Sequence, residues 1–287
     1  MIEYLVLISC IGFLASLIPG HHRKYAAITG WIFIVLFLFA ELPYYFSINN
    51  FLYPLMAALS VPFLYITVKH LLADDERVLH LSRAAAVAFL LYAPFEYIPM
   101  MGNWLISVVV GQVAWLLEIL GYPVSLACVN PVTSQVMDAV ACNGLMLNAL
   151  TRNGFSVEII LGCTGIQSIA IMLGVAAAVP TTYRQKIYAV LLIAPTIYIL
   201  NLLRNVFVII AYTGQWFPYM PEIASNGEIG YESFFWAHNV IAELLALVVL
   251  IVLAYGLFMI IPRLGNFADN LYQLYYGEIR SEFGRKP

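Results

Sequence analysis

Long apolar runs recur along this chain, and each is close to the length that a helix needs to cross a bilayer. About 20 apolar residues are enough to span the hydrocarbon core as a helix. Only 10% of the 287 residues are charged, against about 25% in an average soluble domain. The sequence therefore predicts an all-α polytopic integral membrane protein with about seven transmembrane helices. Their approximate limits are 2–19, 25–46, 51–72, 83–101, 162–182, 187–213 and 235–261.

A shorter apolar segment, 104–120, makes an eighth helix possible. It contains Gln112 and Glu118 and ends at a Gly-Tyr-Pro sequence, so it either lies in the interface or pairs with another weakly marked span. The run that starts at Ile2 lacks the basic leader and small-residue cleavage site of a secretory signal. We therefore expect it to be the first transmembrane helix.

Basic residues are distributed unevenly between the loops. Cytoplasmic loops accumulate Lys and Arg, and eleven of the thirteen basic residues fall on one side if 104–120 does not cross. This predicts a multi-pass protein of the cell membrane with an external N-terminus and a cytoplasmic C-terminus. Residues 1–262 then form a single transmembrane domain with an external segment at 121–161, and 263–287 form a cytoplasmic interfacial tail. The eleven are Arg23, Lys24, Lys69, Arg77, Arg83, Arg184, Lys186, Arg263, Arg280, Arg285 and Lys286.

The opposite, external side has a different composition. Its loops at 47–50 and 214–234 contain no Lys or Arg. Within 121–161, "VSLACV" and "FSVEIIL" have some strand-like character. Cys128 and Cys142 also lie there, where an oxidising environment permits a disulfide, although their spacing alone leaves the pairing open. The net charge of −3, with no basic patch interleaved with aromatic residues, gives no indication of a nucleic-acid partner.

Three reactive side chains are predicted at the external ends of consecutive spans. Cys163 begins the fifth span, Arg204 lies in the outer half of the sixth, and His238 lies at the outer end of the seventh. The other four histidines flank the cytoplasmic loops. We therefore expect a thiol, a guanidinium and an imidazole to meet at the extracellular face.

This combination suits acyl transfer by a cysteine. A thiolate is favoured near a helix N-terminus or a cation, and Cys163 is predicted to begin a helix. His238 would take the thiol proton and return it to a leaving amine. Arg204, which is always charged, would stabilise an oxyanion. Because an arginine within a span costs at least about 2.5 kcal/mol, such a residue usually faces a cavity or a partner.

Other polar residues are candidates for substrate binding or for support of this site. Asn201 shares a helix face with Arg204, and Glu243 lies about one turn below His238, where it could orient the imidazole or pair with the arginine. Two carboxylates near the outer ends of the second and fourth spans could satisfy an arginine or line a groove. The candidates are Asn201, Gln167, Asn239, Glu243, Glu41 and Glu96.

Each of the three reactive residues also has a plainer interpretation. A cysteine in an apolar helix often only packs, a histidine at a span end can anchor in the interface, and an outer-half arginine can reach the headgroups. An alternative function is a transporter with Arg204 and Asn201 in the substrate path. That alternative predicts broken helices in matched halves, but the sequence has no internal repeat. A scaffold subunit would leave the polar residues incidental.

Three short motifs resemble a known family: "CTGIQS" from Cys163, "NLLRN" around Arg204 and "AHN" around His238. Together they resemble the archaeosortase/exosortase family, and they are most similar to its archaeosortase A branch. The resemblance implies that Cys163 is the nucleophile, Arg204 the catalytic arginine and His238 the histidine of the exosortase pattern. Some archaeosortases carry a second arginine in place of the histidine, whereas the last span here has no arginine before Arg263.

That family consists of polytopic cysteine transpeptidases, so the resemblance also implies a substrate and a reaction. The substrates would be secreted surface (S-layer) proteins with a C-terminal Pro-Gly-Phe motif, an apolar helix and a basic cluster. Cleavage would pass through a thioacyl-enzyme intermediate, and the new C-terminus would be transferred to the amine of a membrane phospholipid. The reaction would need no metal and no organic cofactor.

Overall fold

The computed structural model describes residues 2–47, 52–130 and 133–283, most of which are helical. Parts of the expected loop at 47–50, and tail residues 284–287, lie outside the described residues. The helices before the expected external segment are α1 (Ile2–Ser16), α2 (Arg23–Ala40), α3 (Leu42–Ser47), α4 (Leu52–Leu72), α5 (Glu76–Tyr97) and α6 (Pro99–Ile119). Those after it are α7 (Ile166–Ala176), α8 (Tyr183–Thr213), α9 (Pro221–Ala224), α10 (Tyr231–Phe234), α11 (Glu243–Ile260) and α12 (Pro262–Phe283).

Six helices of the described chain are long and apolar enough to cross a membrane. Two more apolar helices, Tyr4–Ser16 and Ile166–Ala176, are shorter. The expected class of polytopic all-α membrane protein is therefore confirmed. The segment 104–120 belongs to α6, whose 21 residues are enough to cross. Because the expected sidedness assumed that 104–120 does not cross, that sidedness stays a prediction.

Residues Met1–Ala93, Ala170–Ala189 and Leu257–Pro287 form one compact unit. Close contact between α1 and α2 depends on glycine, since a Cβ on Gly12 would lie 2.7 Å from the backbone nitrogen of Gly30. Aromatic rings fill the adjoining space: Phe13 packs edge-on against Trp31, with ring centroids 5.0 Å apart. The Trp31 indole N–H donates to the Ser82 hydroxyl at 2.9 Å, so this core also satisfies its buried polar groups.

The expected interfacial tail is the amphipathic helix α12, which docks in this first unit. Leu274 is buried in an apolar cluster with residues of α2, α4 and α5. On the same helix, the Tyr275 hydroxyl lies 2.8 Å from Thr67 Oγ1. Lys69 donates to the Glu278 carboxylate at 2.6 Å, and His70 Nε2 lies 3.1 Å from the other oxygen of that carboxylate. Apolar burial and ion pairing therefore both hold α12 in place.

Residues Pro94–Ile169 and Val190–Gly256 form the second unit, which contains a four-stranded antiparallel sheet in the order β2-β1-β3-β4. The strand character expected in "VSLACV" and "FSVEIIL" is confirmed by β1 and β4. A disulfide joins Cys128 of β1 to Cys142, which settles the pairing that the sequence left open. The strands are β1 (Ser125–Val129), β2 (Val136–Asp138), β3 (Ala149–Arg152) and β4 (Phe155–Glu158).

The turn between β3 and β4 caps the end of α8. Asn153 and Gly154 have positive φ angles of 54° and 81°, as a two-residue hairpin turn requires. From this turn, Arg152 donates to the Thr213 hydroxyl at 3.3 Å and Asn153 donates to the Thr213 carbonyl at 3.2 Å. The last carbonyls of a helix lack partners within it, and a cation there is favourable. Arg152 is one of the two basic residues that do not belong to the eleven assigned to the cytoplasmic side. It has a structural role, because it attaches the sheet to α8.

Candidate active site

The segment that carries Cys163 is not the start of a long helix. Leu161–Thr164 form a short 3₁₀ turn, Gly165 has φ +80°, and α7 begins only at Ile166. The expected span 162–182 is thus wrong at both ends, because Gly165 adopts a left-handed conformation that ends the 3₁₀ turn and α7 stops at Ala176. Cys163 is a free, half-buried cysteine one turn before α7.

Two asparagine side chains of α8 bind the backbone of Cys163. Asn201 Nδ2 donates to the Cys163 carbonyl oxygen at 2.6 Å, and Asn205 Nδ2 donates to the same oxygen at 2.8 Å. These residues are four apart in the helix and therefore project from the same face. Asn205 is buried, with 8% of its surface exposed. Sequence reasoning included Asn201 among the supports but missed Asn205, although the spacing within "NLLRN" could have indicated it.

Arg204 and His238 are brought together, as the sequence predicted. Arg204 Nη2 lies 3.2 Å from His238 Nε2. A guanidinium can only donate, so Nε2 must be unprotonated and accept. The other ring nitrogen, Nδ1, lies 2.7 Å from Asn239 Oδ1 and carries the proton that it donates to this oxygen. Asn239 therefore fixes the tautomer of a neutral imidazole.

The helical geometry around His238 is unusual. Phe235–Ala242 form a π-helix that continues from α10 and leads into α11, and such segments are found frequently at functional sites. The imidazole also stacks on Phe234, with ring centroids 4.8 Å apart. The ring is thus fixed by one stacking contact and two hydrogen bonds. The sequence "FFWAHNVIAE", in which most residues are apolar, gave no indication of a π-helix.

A cavity of about 490 Å³ adjoins these residues. Its polar wall includes Arg204. The cavity is also lined by Gly162, directly before Cys163, and by Gly165, two residues after it. Arg204 Nε is buried and has no hydrogen-bond partner among the described residues. The remaining wall is formed by apolar side chains of α8 and α11 that sequence reasoning missed: Ile197, Leu200, Leu203, Phe207, Leu245, Val249 and Leu250.

The other expected supports are distributed unequally. Gln167 lines the cavity. Glu243 is exposed, and Asn239 rather than Glu243 binds the Nδ1 atom of the imidazole, because the π-helix places the neighbouring residue against the ring. Glu41 ends α2 in the first unit. Glu96 has an exposed side chain in the last turn of α5. Neither of these two carboxylates is among the residues that line the cavity within the described chain.

The fold and the site together define a polytopic membrane protein in which one helix binds the backbone of a free cysteine and also carries the arginine of an arginine–histidine pair. Comparison with known families then places it: the transmembrane exosortase family matches residues 2–222, most of the chain, and the protein belongs to that family. The match ends before His238. The resemblance carried by the three motifs is therefore confirmed at the level of the family.

Two curated relatives cover the chain almost completely. Archaeosortase A of Haloferax volcanii is 27% identical in an alignment of 275 positions, which covers 88% of this chain and 87% of that protein. Archaeosortase A of Natronomonas pharaonis is 28% identical in an alignment of 260 positions, which covers 88% of this chain and 80% of that protein. No solved structure matches.

Proposed function

We propose that this protein is a membrane-embedded cysteine transpeptidase. It cleaves a C-terminal sorting signal of the Pro-Gly-Phe type from surface proteins and joins the new C-terminus to a membrane lipid. Its family and the name of its two relatives support a sorting peptidase. One observation supports the cysteine chemistry. The carbonyl of Cys163 accepts hydrogen bonds from the helix that carries Arg204, and Arg204 is hydrogen-bonded to His238.

In the first half-reaction, Cys163 Sγ attacks the scissile carbonyl carbon while its proton passes to His238 Nε2. The tetrahedral adduct collapses with cleavage of the C–N bond, and the imidazolium returns the proton to the leaving amine. The acyl group remains on sulfur as a thioester. A lipid amine then attacks the thioester carbonyl and loses a proton to the imidazole. The C–S bond breaks as the amide forms, and the imidazolium returns that proton to the sulfur, which regenerates the thiol.

Arg204 has two tasks in this scheme. In the resting site, Arg204 Nη2 donates a hydrogen bond to the lone pair of His238 Nε2. A general base needs that lone pair free to accept a proton. A substrate carbonyl that accepts hydrogen bonds from the guanidinium would draw it away and free the imidazole. The Nε–H of Arg204 has no acceptor within the part of the chain that the structure describes. This supports the second task, because a buried donor without an acceptor is costly and an oxyanion would satisfy it.

The disulfide supports an external site. Cys128 and Cys142 belong to the same unit as Cys163, Arg204 and His238, and disulfides persist in oxidising compartments. In this orientation the apolar helix of the signal lies in the membrane beside the cavity. The cavity wall next to Arg204 is apolar over α8 and α11, which suits the residues adjoining the scissile bond.

The nucleophile assignment is tested with Cys163→Ser and Cys163→Ala. We expect processing of a surface protein with a Pro-Gly-Phe signal to fall by at least about 1000-fold, because neither variant can form the thioester. Cys10→Ser, which removes the other free cysteine, is the control and should process normally. Mass spectrometry of the mature C-terminus measures both the cleavage site and the attached group. Undiminished processing by the Cys163 variants would refute the assignment, and a free carboxylate as the wild-type product would refute lipid transfer.

A further inference from the structure

The carbonyl oxygen of Cys163 accepts hydrogen bonds from two separate side-chain amides, at 2.6 Å from Asn201 and 2.8 Å from Asn205. A carbonyl oxygen has two lone pairs, so both are used. One amide would be enough to satisfy this acceptor where the chain leaves the 3₁₀ turn. The second amide additionally restricts rotation of the peptide plane between Cys163 and Thr164.

We infer that Asn201 and Asn205 are positioning residues for the nucleophile: they form a two-amide clamp on the Cys163 carbonyl, and Asn205 acts only through this clamp. The inference rests on the proposed function for its catalytic consequence. It does not require that either asparagine touch the substrate, and Asn205 is not among the residues that line the cavity.

Packing makes the clamp rigid. A Cβ on Gly165 would lie 3.2 Å from Asn201 Cβ and 3.3 Å from its Cγ, so the loop after Cys163 rests directly on this side chain. Asn205 is buried next to Val206, which belongs to an apolar cluster against which Cys163 itself packs. An amide in such surroundings is costly unless it is hydrogen-bonded, so both donors remain directed at the carbonyl.

The clamp also fixes Cys163 relative to the rest of the site. Arg204 lies between the two asparagines in the sequence of the same helix, and it binds His238. The backbone of the nucleophile, the guanidinium and the imidazole therefore share one rigid frame. A displacement of about 1 Å in a reacting group can lower a rate by about 100-fold, so loosening this frame should impair the chemical step rather than substrate binding.

The test uses Asn205→Asp in the full-length protein. Aspartate has nearly the same shape but presents an oxygen to the Cys163 carbonyl instead of a donor. We expect kcat for signal processing to fall by about 10- to 100-fold, with KM changed less than about twofold. We also expect iodoacetamide to alkylate Cys163 about ten times faster, the factor that follows from losing one hydrogen bond of ordinary strength, because the half-buried sulfur becomes more accessible.

Cys10 and Asn153 supply the controls. Cys10 is a buried free cysteine of the first unit, and its alkylation rate should not change unless the whole protein loosens. Asn153 donates to the Thr213 carbonyl of α8, so Asn153→Asp removes a bond of the same type away from Cys163 and should leave kcat and both alkylation rates unchanged. If Asn205→Asp does not accumulate, Asn205→Ala removes the same donor without adding charge and is expected to show the same pattern.

The outcomes separate the clamp from the function. The clamp would be overturned if the Asn205 variants had the kcat of the wild type. It would also be overturned if the alkylation rates of Cys10 and Cys163 increased together. If the wild-type protein does not process the signal but Asn205→Asp still accelerates alkylation of Cys163 alone, the proposed function fails and the clamp stands.

Discussion

At the residue scale, Gly165 determines where Cys163 can lie. Its φ of +80° ends the 3₁₀ turn that holds Cys163 and lets α7 begin in a new direction. Thr164 stabilises this break, since its hydroxyl donates to the Leu161 carbonyl at 2.7 Å. Continuous helix through residues 162–182, as the sequence suggested, would have left the Cys163 carbonyl bonded within the helix and beyond the reach of Asn201 and Asn205.

Replacing Gly165 by alanine tests this geometry. A left-handed backbone costs an L-residue about 1–2 kcal/mol, and the new Cβ would also press on Asn201 at 3.2 Å. We expect stability to fall and signal processing to fall at least about tenfold. Gly154→Ala is the matched control, because Gly154 has φ +81° with nothing within 4 Å of a Cβ. Gly154→Ala should lower the free energy of unfolding by a similar amount but keep its signal-processing activity. Equal processing rates in Gly165→Ala and Gly154→Ala would contradict this account.

Sequence reasoning predicted that Arg204 and His238 would meet, but not the hydrogen bonds that surround them. Arg204 and His238 were predicted to meet because each lies in the outer part of its span, and the structure brings them within 3.2 Å. On the assumption of ordinary helical spacing, Glu243 was a candidate either to orient the imidazole or to pair with Arg204. The π-helix changes that spacing, so Asn239 takes the position. Hydropathy patterning does not detect such a change, because most of the residues around His238 and Asn239 are apolar.

At the scale of elements, α12 shows how a tail can be held by more than its apolar face. The sequence predicted an amphipathic interfacial helix, and Leu274 and Tyr275 do pack inward. The ion pairs to Lys69 and His70 could not be predicted, because Glu278 is more than 200 residues away along the chain. The strand-like segments in 121–161 were recognised from composition, whereas their order in the sheet depends on long-range pairing.

Acid should weaken the docking of α12 through Glu278. The hydrogen bond from Lys69, and secondarily that from His70, lowers the pKa of the Glu278 carboxyl below its ordinary value of 4.5. A lowered folded-state pKa stabilises the fold above the unfolded value, and this contribution is lost as the pH falls through the folded value. We expect proteolysis of the tail to accelerate as the pH falls below about 4.5, and Glu278→Gln to show a smaller change with pH.

Asp75 keeps this experiment interpretable. Its hydrogen bond with the Arg77 side chain lowers its pKa to about 2, so it stays ionised where Glu278 titrates. An equally steep pH dependence in Glu278→Gln and the wild type would show that another group controls docking.

At the scale of the whole molecule, hydropathy and loop charge predicted a polytopic membrane protein, and that class is confirmed. The two compact units could not be predicted, since each is assembled from segments that are far apart in the sequence. The length of α7 could not be predicted either, because most of 162–182 is apolar whereas the helix occupies only 11 of those residues.

Sidedness can be measured with single cysteines in a Cys10→Ser, Cys163→Ser background. Ile229 is 91% exposed in the loop before α10, and Tyr272 is 62% exposed on α12. If the positive-inside rule sets the orientation, a membrane-impermeant maleimide should label Ile229→Cys on intact cells and Tyr272→Cys only after lysis. The reverse pattern would invert the orientation and move the proposed site to the cytoplasmic face.

The attachment of the sheet to the end of α8 has a consequence for the substrate of the proposed reaction. Nine residues of one unbroken helix separate Arg204 from Thr213, where Arg152 and Asn153 are attached. They span about 14 Å. If the proposed cleavage takes place beside Arg204, a folded substrate domain that stays beyond this attachment point needs a tether of at least about four extended residues. The length of α8 beyond Arg204 thus sets the minimum linker between the folded domain of a substrate and the proposed cleavage point.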